Sequence, residues 1–285
     1  MKIRIGTRSS RLDVIQTELF IKALKEKYPN VQTETVYIMT KGDKVTDRPL
    51  SEFGGEGVFA KEPERMLAEG KIDVAVHSAK DMPVDIAEGL EIVCALKRGD
   101  MRDVLVTKCG REIEGDNFTV GTGSMRRQNN LKKIYPLVKF ADIRGNVDTR
   151  IQKLKKGEYD GIILAAAGLE RLGIFEDKEL KFRIFETDEF LCAPCQGIIA
   201  VEGRKGEFKE MLENISDRDT MYCLETEREF MKYLGGGCGI PSSAVSSTDG
   251  KFIRITASKD GEKIISCEAE IEKRSELAKK AADML

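Results

Sequence analysis

The sequence predicts an α/β protein with two α/β domains of similar size and a small C-terminal α+β domain. Apolar strand-like segments alternate with amphipathic helical segments over about the first two hundred residues, a pattern typical of parallel or mixed sheets covered on both faces. This pattern occurs twice, with a seam near Lys97–Arg102, and about the last seventy residues change character. A length of 285 residues suffices for two or three independently folded domains.

The predicted strands share short apolar or β-branched runs bounded by polar or turn residues. In chain order they are Ile3–Thr7, Thr35–Met39, Val74–Val76, Ile92–Leu96, Asp103–Val106, Thr119–Gly121, Lys139–Ile143, Gly161–Ala165 and Ile198–Val201. Amphipathic helices are expected over Leu12–Lys27 and Asp148–Lys156. Pro63 interrupts a helical stretch from about Val58 to Glu69. Since proline is tolerated only in a first helical turn, this helix should start late or kink.

The C-terminal region predicts a three-stranded antiparallel sheet with flanking helices. A helix over about Asp219–Tyr233 leads into the glycine-rich run Gly235–Pro241. Three alternating segments follow, joined by Asp249-Gly250 and Asp260-Gly261, which are typical hairpin turns. A last helix is expected from about Ser275 onwards.

The composition describes an ordinary globular protein, with 41% hydrophobic and 34% charged residues and a formal net charge of -2. This balance argues against bulk binding of nucleic acid, which usually needs a basic face. No apolar run reaches the length of a membrane span. The strand-like start and seven cysteines without regular spacing predict a cytoplasmic protein with reduced thiols rather than a secreted, disulfide-linked one.

Four arginines lie within the thirty residues from Gly121 to Arg150. Arginine clusters need an anion to neutralise them, and the planar guanidinium fork suits carboxylates or phosphates. Arg126 and Arg127 follow a glycine turn that contains Thr122 and Ser124. Backbone amides at such a strand-to-helix turn favour an anion, although a capped helix with solvated arginines is an equally good interpretation of this motif alone.

A second segment of the same kind is Arg144-Gly-Asn-Val-Asp-Thr-Arg150, with Asp148 or Thr149 at the start of a helix. The charge of an arginine in a first helical turn is unfavourable next to the positive end of the helix dipole, so we expect a nearby anion to stabilise Arg150. The repetition of strand end, glycine turn and arginine favours a built anion site in one crevice. The motif is not a Walker loop, because the Gly-Lys-Ser/Thr ending is absent.

Two other loops carry reactive side chains. Val76-His-Ser-Ala-Lys-Asp-Met-Pro83 contains the only histidine of the chain and a carboxylate, Asp81, which suits stabilisation of a cation or a proton relay. We interpret His77 as structural, because it comes directly after an apolar strand. Cys238 stands between glycines and is sterically open; a nucleophile or attachment point and an incidental loop cysteine are both compatible with that context. Cys192-Ala-Pro-Cys195 lacks a second pair for zinc.

Six runs together resemble the porphobilinogen deaminase (hydroxymethylbilane synthase) family. They occur in the family's order and cover most of the chain. They are Gly6–Ser10, Val76–Pro83, Gly121–Gln128, Arg144–Arg150, Glu158–Gly173 and Gly236–Pro241.

The resemblance implies a transferase that joins four porphobilinogens head to tail with loss of ammonia and releases linear hydroxymethylbilane, a step of porphyrin and haem biosynthesis. It implies a dipyrromethane cofactor held by a thioether to Cys238, and no metal. It also implies two type II periplasmic-binding-protein-like domains, 1–98 with 196–214 and 99–195, and a third domain, 215–285, that carries the cofactor loop. We expect a monomer whose partner is the substrate and the growing polypyrrole chain.

The resemblance assigns each site residue by matched position. Asp81 is the expected catalytic residue, facing the pyrrole N–H of the cation left after ammonia departs. The cofactor is expected to contact Ser78, Lys80, Asp81, Thr122, Ser124, Arg126, Arg127 and Arg144. The substrate is expected to contact Arg8, Ser10, Arg144, Arg150, Arg171 and Gln196. Each pyrrole carries an acetate and a propionate, which explains the need for many forked cations in one cleft.

The chain departs from the family pattern at three places. Glu52 and Glu56 stand where a glycine-rich loop usually has lysines, Cys195 stands at a position that is commonly glycine, and Pro63 interrupts a helix. Two other classes fit less well. A binding module that holds a small anion without chemistry does not explain Cys238, and a phosphate- or nucleotide-handling enzyme would need a Walker loop or a metal-carboxylate cluster.

Overall fold

A computed structural model describes residues 1–39, 60–113, 117–236 and 240–285. These residues form two five-stranded sheets and one three-stranded sheet. The strands are β1 (Lys2–Arg8), β2 (Gln32–Ile38), β3 (Val74–Ser78), β4 (Leu90–Ala95), β5 (Asp103–Lys108), β6 (Thr119–Gly121), β7 (Lys139–Ala141), β8 (Gly161–Ala165), β9 (Leu180–Ile184), β10 (Ile199–Arg204), β11 (Ser243–Thr248), β12 (Phe252–Ser258) and β13 (Ile265–Glu270). The helices are α1 (Arg11–Lys27), α2 (Lys61–Ala68), α3 (Met125–Ile134), α4 (Val147–Lys156), α5 (Ala166–Arg171), α6 (Lys209–Glu213), α7 (Arg218–Tyr233) and α8 (Arg274–Asp283).

The two large sheets have the same strand plan. The first has the order β2-β1-β3-β10-β4 and the second has the order β7-β6-β8-β5-β9. In each, four strands run in the same direction, and the fifth runs antiparallel between two of them. The antiparallel strands are β10 in the first sheet and β5 in the second. The chain crosses from the first sheet to the second between β4 and β5, and it returns between β9 and β10. This double crossing is the type II periplasmic-binding-protein-like arrangement, which confirms the predicted fold class.

Each large sheet has its own hydrophobic core. Ile3, Ile5 and Phe20 are fully buried between β1 and α1, because both faces of these parallel strands are covered. In the second sheet, β8 and α4 contribute Ile162 and Leu154 to a separate cluster. The domain boundaries at 98/99, 195/196 and 214/215 stay a prediction, although the crossings between β4 and β5 and between β9 and β10 lie at two of them.

The C-terminal region confirms the predicted antiparallel sheet. Strand β12 pairs with β11 on one side and with β13 on the other. The turns at Gly250 and Gly261 have φ angles of 88° and 92°, values that favour glycine. Phe230 of α7 and Ala278 of α8 are fully buried against this sheet.

Several details differ from the sequence-based expectations. Strand β9 was not predicted, and β7 ends at Ala141 rather than Ile143. Helix α4 begins at Val147, one residue before the predicted start. Helix α2 begins at Lys61, so Pro63 lies in its first turn, where the missing N–H costs no helical hydrogen bond. The expectation of a late start is therefore confirmed. Over the four described ranges, no helix has the length and apolarity needed to cross a membrane.

Candidate active site

The predicted site residues follow the carboxyl ends of parallel strands in both large sheets. Strand β3 ends at Ser78, and a single 3₁₀ turn over Ala79–Asp81 presents Lys80 and Asp81. In the second sheet, β6 ends at Gly121, directly before the glycine turn and α3. The charge of Asp81 acts on the guanidinium groups of Arg127 and Arg150. The two segments therefore lie close to each other, as expected for a ligand site at such strand ends.

Arg126 and Arg127 share a buried carboxylate, that of Asp103 at the start of β5. Asp103 Oδ2 lies 2.8 Å from Arg126 Nη1, and Oδ1 lies 2.7 Å from Arg127 Nη2. The carboxylate is 0% exposed, and the two arginines are 6% and 8% exposed. Burial alone would raise the pKa of Asp103, but the two cationic charges outweigh it and bring that pKa to about 2. The arginines are thus partly neutralised, and neither is a solvated side chain.

The glycine turn before α3 is closely packed. Ser124 caps the helix by accepting from the Arg127 N–H, and Thr122 Oγ1 accepts from the Ser124 N–H at 3.2 Å. A Cβ on Gly123 would lie 2.4 Å from Asp142 Oδ1. A side chain at this position would therefore displace the exposed Asp142 carboxylate from the turn.

Arg144 and Arg150 lie on either side of the next turn, and both are partly buried. Arg150 Nε donates to the carbonyl of Gly145 at 2.7 Å, and Gly145 has a φ of 109°, in the region that favours glycine. Burial and the charges of Arg127 and Arg144 lower the pKa of Arg150 to about 10, against the opposing charges of Asp81 and Asp142. Arg150 is thus a cation held close to other cations.

Lys80 points towards the same group of charges. Its Nζ donates to Gln196 Oε1 at 3.4 Å, and Gln196 in turn donates to the carbonyl of Met101 at 2.7 Å. Burial lowers the pKa of Lys80 to about 8. The charges of Asp81 and Asp103 oppose this shift, while those of the arginine pair add to it. Gln196 is 1% exposed, so it positions Lys80 and offers little surface of its own.

The remaining predicted contacts have structural partners. Ser10 caps α1 and donates to Asp13 Oδ2 at 2.6 Å, and Ser78 is hydrogen-bonded to Gln16. Arg8 Nη1 lies 3.6 Å from Asp13 Oδ2. Arg171 Nη2 donates to the carbonyl of Gly197 at 2.7 Å, beside the second chain crossing. Burial lowers the pKa of Arg171.

His77 has a structural partner, as predicted. Its Nε2 lies 3.0 Å from Oε2 of the fully buried Glu202 on the neighbouring strand β10. Cys192 and Cys195 are buried free thiols, and burial raises the pKa of Cys192 to about 12. Such thiols are unreactive. Within the described ranges, no group of three potential metal ligands occurs. Cys238, Glu52 and Glu56 lie outside the described residues.

Sequence reasoning missed Asp103 and Asp142. Asp103 was predicted only as a strand residue, and nothing local distinguishes it, since its partners follow 23 and 24 residues later. Asp142 comes directly after β7, and its position against Gly123 depends on the pairing of β6 with β7. The adjacent arginines of the motifs were the one available signal, because they indicate that an anion must lie nearby to neutralise them.

Several charged groups act on one another here. Lys80 and Arg150 interact with the charges of Arg126, Arg127 and Arg144 and with those of the carboxylates Asp81, Asp103 and Asp142. Burial is the largest cause of the lowered pKa values of Lys80 and Arg150, and the neighbouring arginines add to it. Both shifts have the direction expected where desolvation and like charges disfavour a cation. The site therefore fits a ligand with several carboxylates, such as a dipyrromethane.

Comparisons with known proteins agree with this chemistry. A family model described as the porphobilinogen deaminase dipyromethane cofactor-binding domain matches residues 3–212, and a model of the porphobilinogen deaminase C-terminal domain matches residues 221–285. Porphobilinogen deaminase of Acetivibrio thermocellus is 46% identical over 256 residues, covering 90% of this chain and 87% of that protein. The protein of the same name from Bacillus velezensis is 38% identical over 291 residues, covering 99% and 92%.

A further relative and a solved structure are also similar to this chain. Porphobilinogen deaminase of Ruminiclostridium cellulolyticum is 42% identical over 246 residues, covering 86% of this chain and 83% of that protein. The periplasmic VFT2 domain of Bordetella pertussis BvgS overlaps with a TM-score of 0.45 at 13% identity, covering 79% and 92%. The family models and the curated relatives span nearly the whole chain, and the chain belongs to the porphobilinogen deaminase family.

Proposed function

We propose that this protein is a transferase that condenses four porphobilinogen molecules head to tail, with loss of one ammonia at each step, and hydrolyses the product to hydroxymethylbilane. The observation that carries the proposal is the group of cations near Asp81, in which Arg126 and Arg127 are buried and Lys80, Arg144 and Arg150 are partly buried. A chain of pyrroles presents an acetate and a propionate on every ring. Forked guanidinium groups bind such carboxylates with two parallel hydrogen bonds.

We assign the dipyrromethane cofactor to the wall formed by Ser124, Arg126, Arg127 and Lys80. The thioether to Cys238 is part of this proposal. When bound, the dipyrromethane supplies the pyrrole carbon to which the first substrate is joined. Arg126 Nη1 is already bonded to the carbonyl of Leu191 at 2.8 Å, so its remaining N–H groups are the ones available to a ligand carboxylate.

Asp81 is the proposed catalytic residue. Its carboxylate is exposed at the end of the 3₁₀ turn, and its charge acts on Arg127 and Arg150. When the aminomethyl group of porphobilinogen leaves as ammonia, the pyrrole becomes a delocalised cation whose N–H is acidic. A carboxylate that accepts this N–H lowers the energy of the cation and of the transition state before it.

Arg8, Arg144, Arg150 and Arg171 are the proposed contacts for the incoming substrate and the growing chain, with Ser10 and Gln196 in supporting positions. Ser78 and Thr122 are assigned to the cofactor. Arg144 and Arg150 are partly buried beside the cofactor wall. Cations held close to other cations gain most when a carboxylate arrives, because the ligand relieves repulsion as well as forming hydrogen bonds.

The activity is tested by incubating the purified protein with porphobilinogen and measuring ammonia and free substrate. The proposal predicts one ammonia released per porphobilinogen consumed, and a linear tetrapyrrole product that absorbs as a porphyrin after cyclisation and oxidation. Binding of porphobilinogen without release of ammonia would contradict it and would favour a binding module.

We further propose a cytoplasmic monomer that acts without nucleic acid. The net charge of -2 supports the last point, since contacts to phosphate backbones need a basic surface. Light scattering after size exclusion tests the monomer, and an unchanged elution in the presence of DNA tests the absence of binding.

A further inference from the structure

Asp103 occupies an unusual place in the fold. It is the first residue of β5, the strand with which the chain enters the second sheet, and it is paired with Ala165 of β8. Its backbone carbonyl accepts from the N–H of Phe185 at 3.0 Å. The position of its side chain is therefore set by two neighbouring strands rather than by a loop.

The carboxylate of Asp103 divides its two oxygens between two guanidinium groups. Oδ1 accepts from Arg127 Nε at 2.9 Å and lies 2.7 Å from Nη2, while Oδ2 faces Arg126 at 2.8 Å. Backbone carbonyls complete the arrangement, since Arg127 Nη1 donates to Ile163 at 2.9 Å and Arg126 Nη1 donates to Leu191 at 2.8 Å. Each fork is held by a carboxylate and a carbonyl at once.

Two adjacent buried cations repel each other unless an anion lies between them. Without Asp103, Arg126 and Arg127 would be buried side by side with no carboxylate in contact. Arg127 would keep only its carbonyl partner, and the forks could turn apart. The geometry of the anion site thus depends on one carboxylate that no ligand needs to contact.

We propose that Asp103 is a positioning residue of the anion site, which holds the forks of Arg126 and Arg127 side by side and cancels one of their two charges. A carboxylate of the cofactor then meets a fixed pair of donors, and the rings added to the cofactor are held in register with the rest of the site. This inference rests on the proposed function, because the ligand in question is the polycarboxylate chain.

The chain offers a matched control in Asp73. This carboxylate also lies between two arginines, 2.6 Å from Arg4 Nη2 and 3.4 Å from Arg204 Nη2, but it is at the far end of β3 from the site. Asp73→Asn therefore removes the same charge from between two arginines away from the site, and these arginine side chains are more exposed, at 37% and 22%, than those of Arg126 and Arg127, at 6% and 10%.

The experiment compares full-length Asp103→Asn, Asp103→Glu and Asp73→Asn with the unaltered protein. Three quantities are measured: the fraction of chains that carry the dipyrrole mass, the thermal midpoint, and kcat/KM for porphobilinogen between pH 6 and 9.5. Asp103→Asn should raise KM at least about tenfold, since small misplacement of binding groups is costly. It should also lower the fraction of chains that carry the cofactor.

A purely structural role would not move the pH profile. The charges that act on Lys80 are Asp81, Arg127, Asp103 and Arg126, and the negative charge of Asp103 raises the pKa of Lys80. Asp103→Asn should therefore shift the alkaline limb of kcat/KM to lower pH. Asp103→Glu keeps the charge, so it should raise KM and leave that limb in place. Asp73→Asn should lower only the thermal midpoint.

The inference is overturned if Asp103→Asn resembles Asp73→Asn, with KM, cofactor fraction and pH profile unchanged. If Asp103→Asn does not fold, Asp103→Glu decides, since an unchanged KM in that variant contradicts positioning and a raised KM supports it. Ammonia release by the unaltered protein tests the proposed function separately. Should that release be absent, the ratio of cofactor fractions between the variants still tests Asp103.

Discussion

Glu227 accepts two hydrogen bonds from the guanidinium group of Arg98, at 2.6 and 3.1 Å, and the Arg98 and Glu227 side chains are 8% and 0% exposed. The same carboxylate accepts from the backbone N–H groups of Cys195 at 2.5 Å and Ser246 at 2.6 Å. Arg98 lies at the first crossing of the chain, Cys195 at the second, and Ser246 in the C-terminal sheet. One buried carboxylate on α7 thus joins both chain crossings to the C-terminal sheet.

Glu227→Gln should destabilise the protein by about 3 kcal/mol, because it leaves the buried charge of Arg98 without a counter-charge. Urea unfolding followed by circular dichroism measures the change. The matched control is Glu225→Gln, which removes a partner of Arg274 in a pair whose side chains are 32% and 37% exposed. This half-exposed pair should contribute less than about 1 kcal/mol. Equal losses in the two variants would contradict the account of Glu227.

Asp81→Asn should fold and retain its cofactor but lose turnover by about 100-fold or more, the cost of removing one group that stabilises transition-state charge. Asp85→Asn is the control, since Asp85 is exposed in the same loop. Its Oδ1 lies 3.4 Å from Nζ of Lys232, and both side chains are exposed. Single-turnover release of ammonia is the measurement. Turnover near that of the unaltered protein in Asp81→Asn would contradict the catalytic role.

The pH dependence should reflect Lys80, whose pKa is about 8 in the protein without ligand. Below that value Lys80 is a cation and attracts carboxylates, so the apparent affinity for porphobilinogen should fall as the pH rises through 8. Stability should move the opposite way. Because the pKa is depressed in the folded state, the unfolded chain binds more protons between pH 8 and the ordinary lysine value, and stability rises with pH there.

Lys80→Gln tests both directions at once. The variant should bind porphobilinogen more weakly at pH 7, and its affinity should no longer fall as the pH rises above 8. Its thermal midpoint should also no longer rise between pH 8 and the ordinary pKa of lysine. A decline that persists unchanged in Lys80→Gln would assign the titration to another group.

Cys195 has a φ of 60°, the left-handed conformation that costs a side-chain-bearing residue about 1 kcal/mol relative to glycine. Glycine adopts this conformation without that cost. Cys195→Gly and Cys195→Ala both remove the buried sulfur, but only glycine relieves the backbone. Cys195→Gly should therefore be more stable than Cys195→Ala by about 1 kcal/mol. Equal thermal midpoints would show that the conformation is not strained.

The repeated strand-helix pattern predicted the two large sheets, because buried parallel strands and amphipathic helices have distinct local periodicities. Strand β9 was not predicted from the sequence, since its exposed residues Lys181 and Arg183 resemble a surface loop. Its pairing with β5 also joins segments that are far apart in sequence. The arginines and Asp81 were predicted from their motifs. Asp103, Glu227 and the left-handed Cys195 were not, because their roles come from partners that only the folded chain brings together.

The central claim is that Cys238 carries a dipyrromethane and that the cleft binds the chain grown from it. Intact-protein mass spectrometry after denaturation tests this most directly. The account predicts that the unaltered protein exceeds its sequence mass by one dipyrrole and turns coloured with Ehrlich's aldehyde reagent, and that Cys238→Ala shows neither, while Cys109→Ala, at an exposed thiol elsewhere, keeps both. A protein reconstituted with porphobilinogen that shows no excess mass, or an excess that survives in Cys238→Ala, would contradict it.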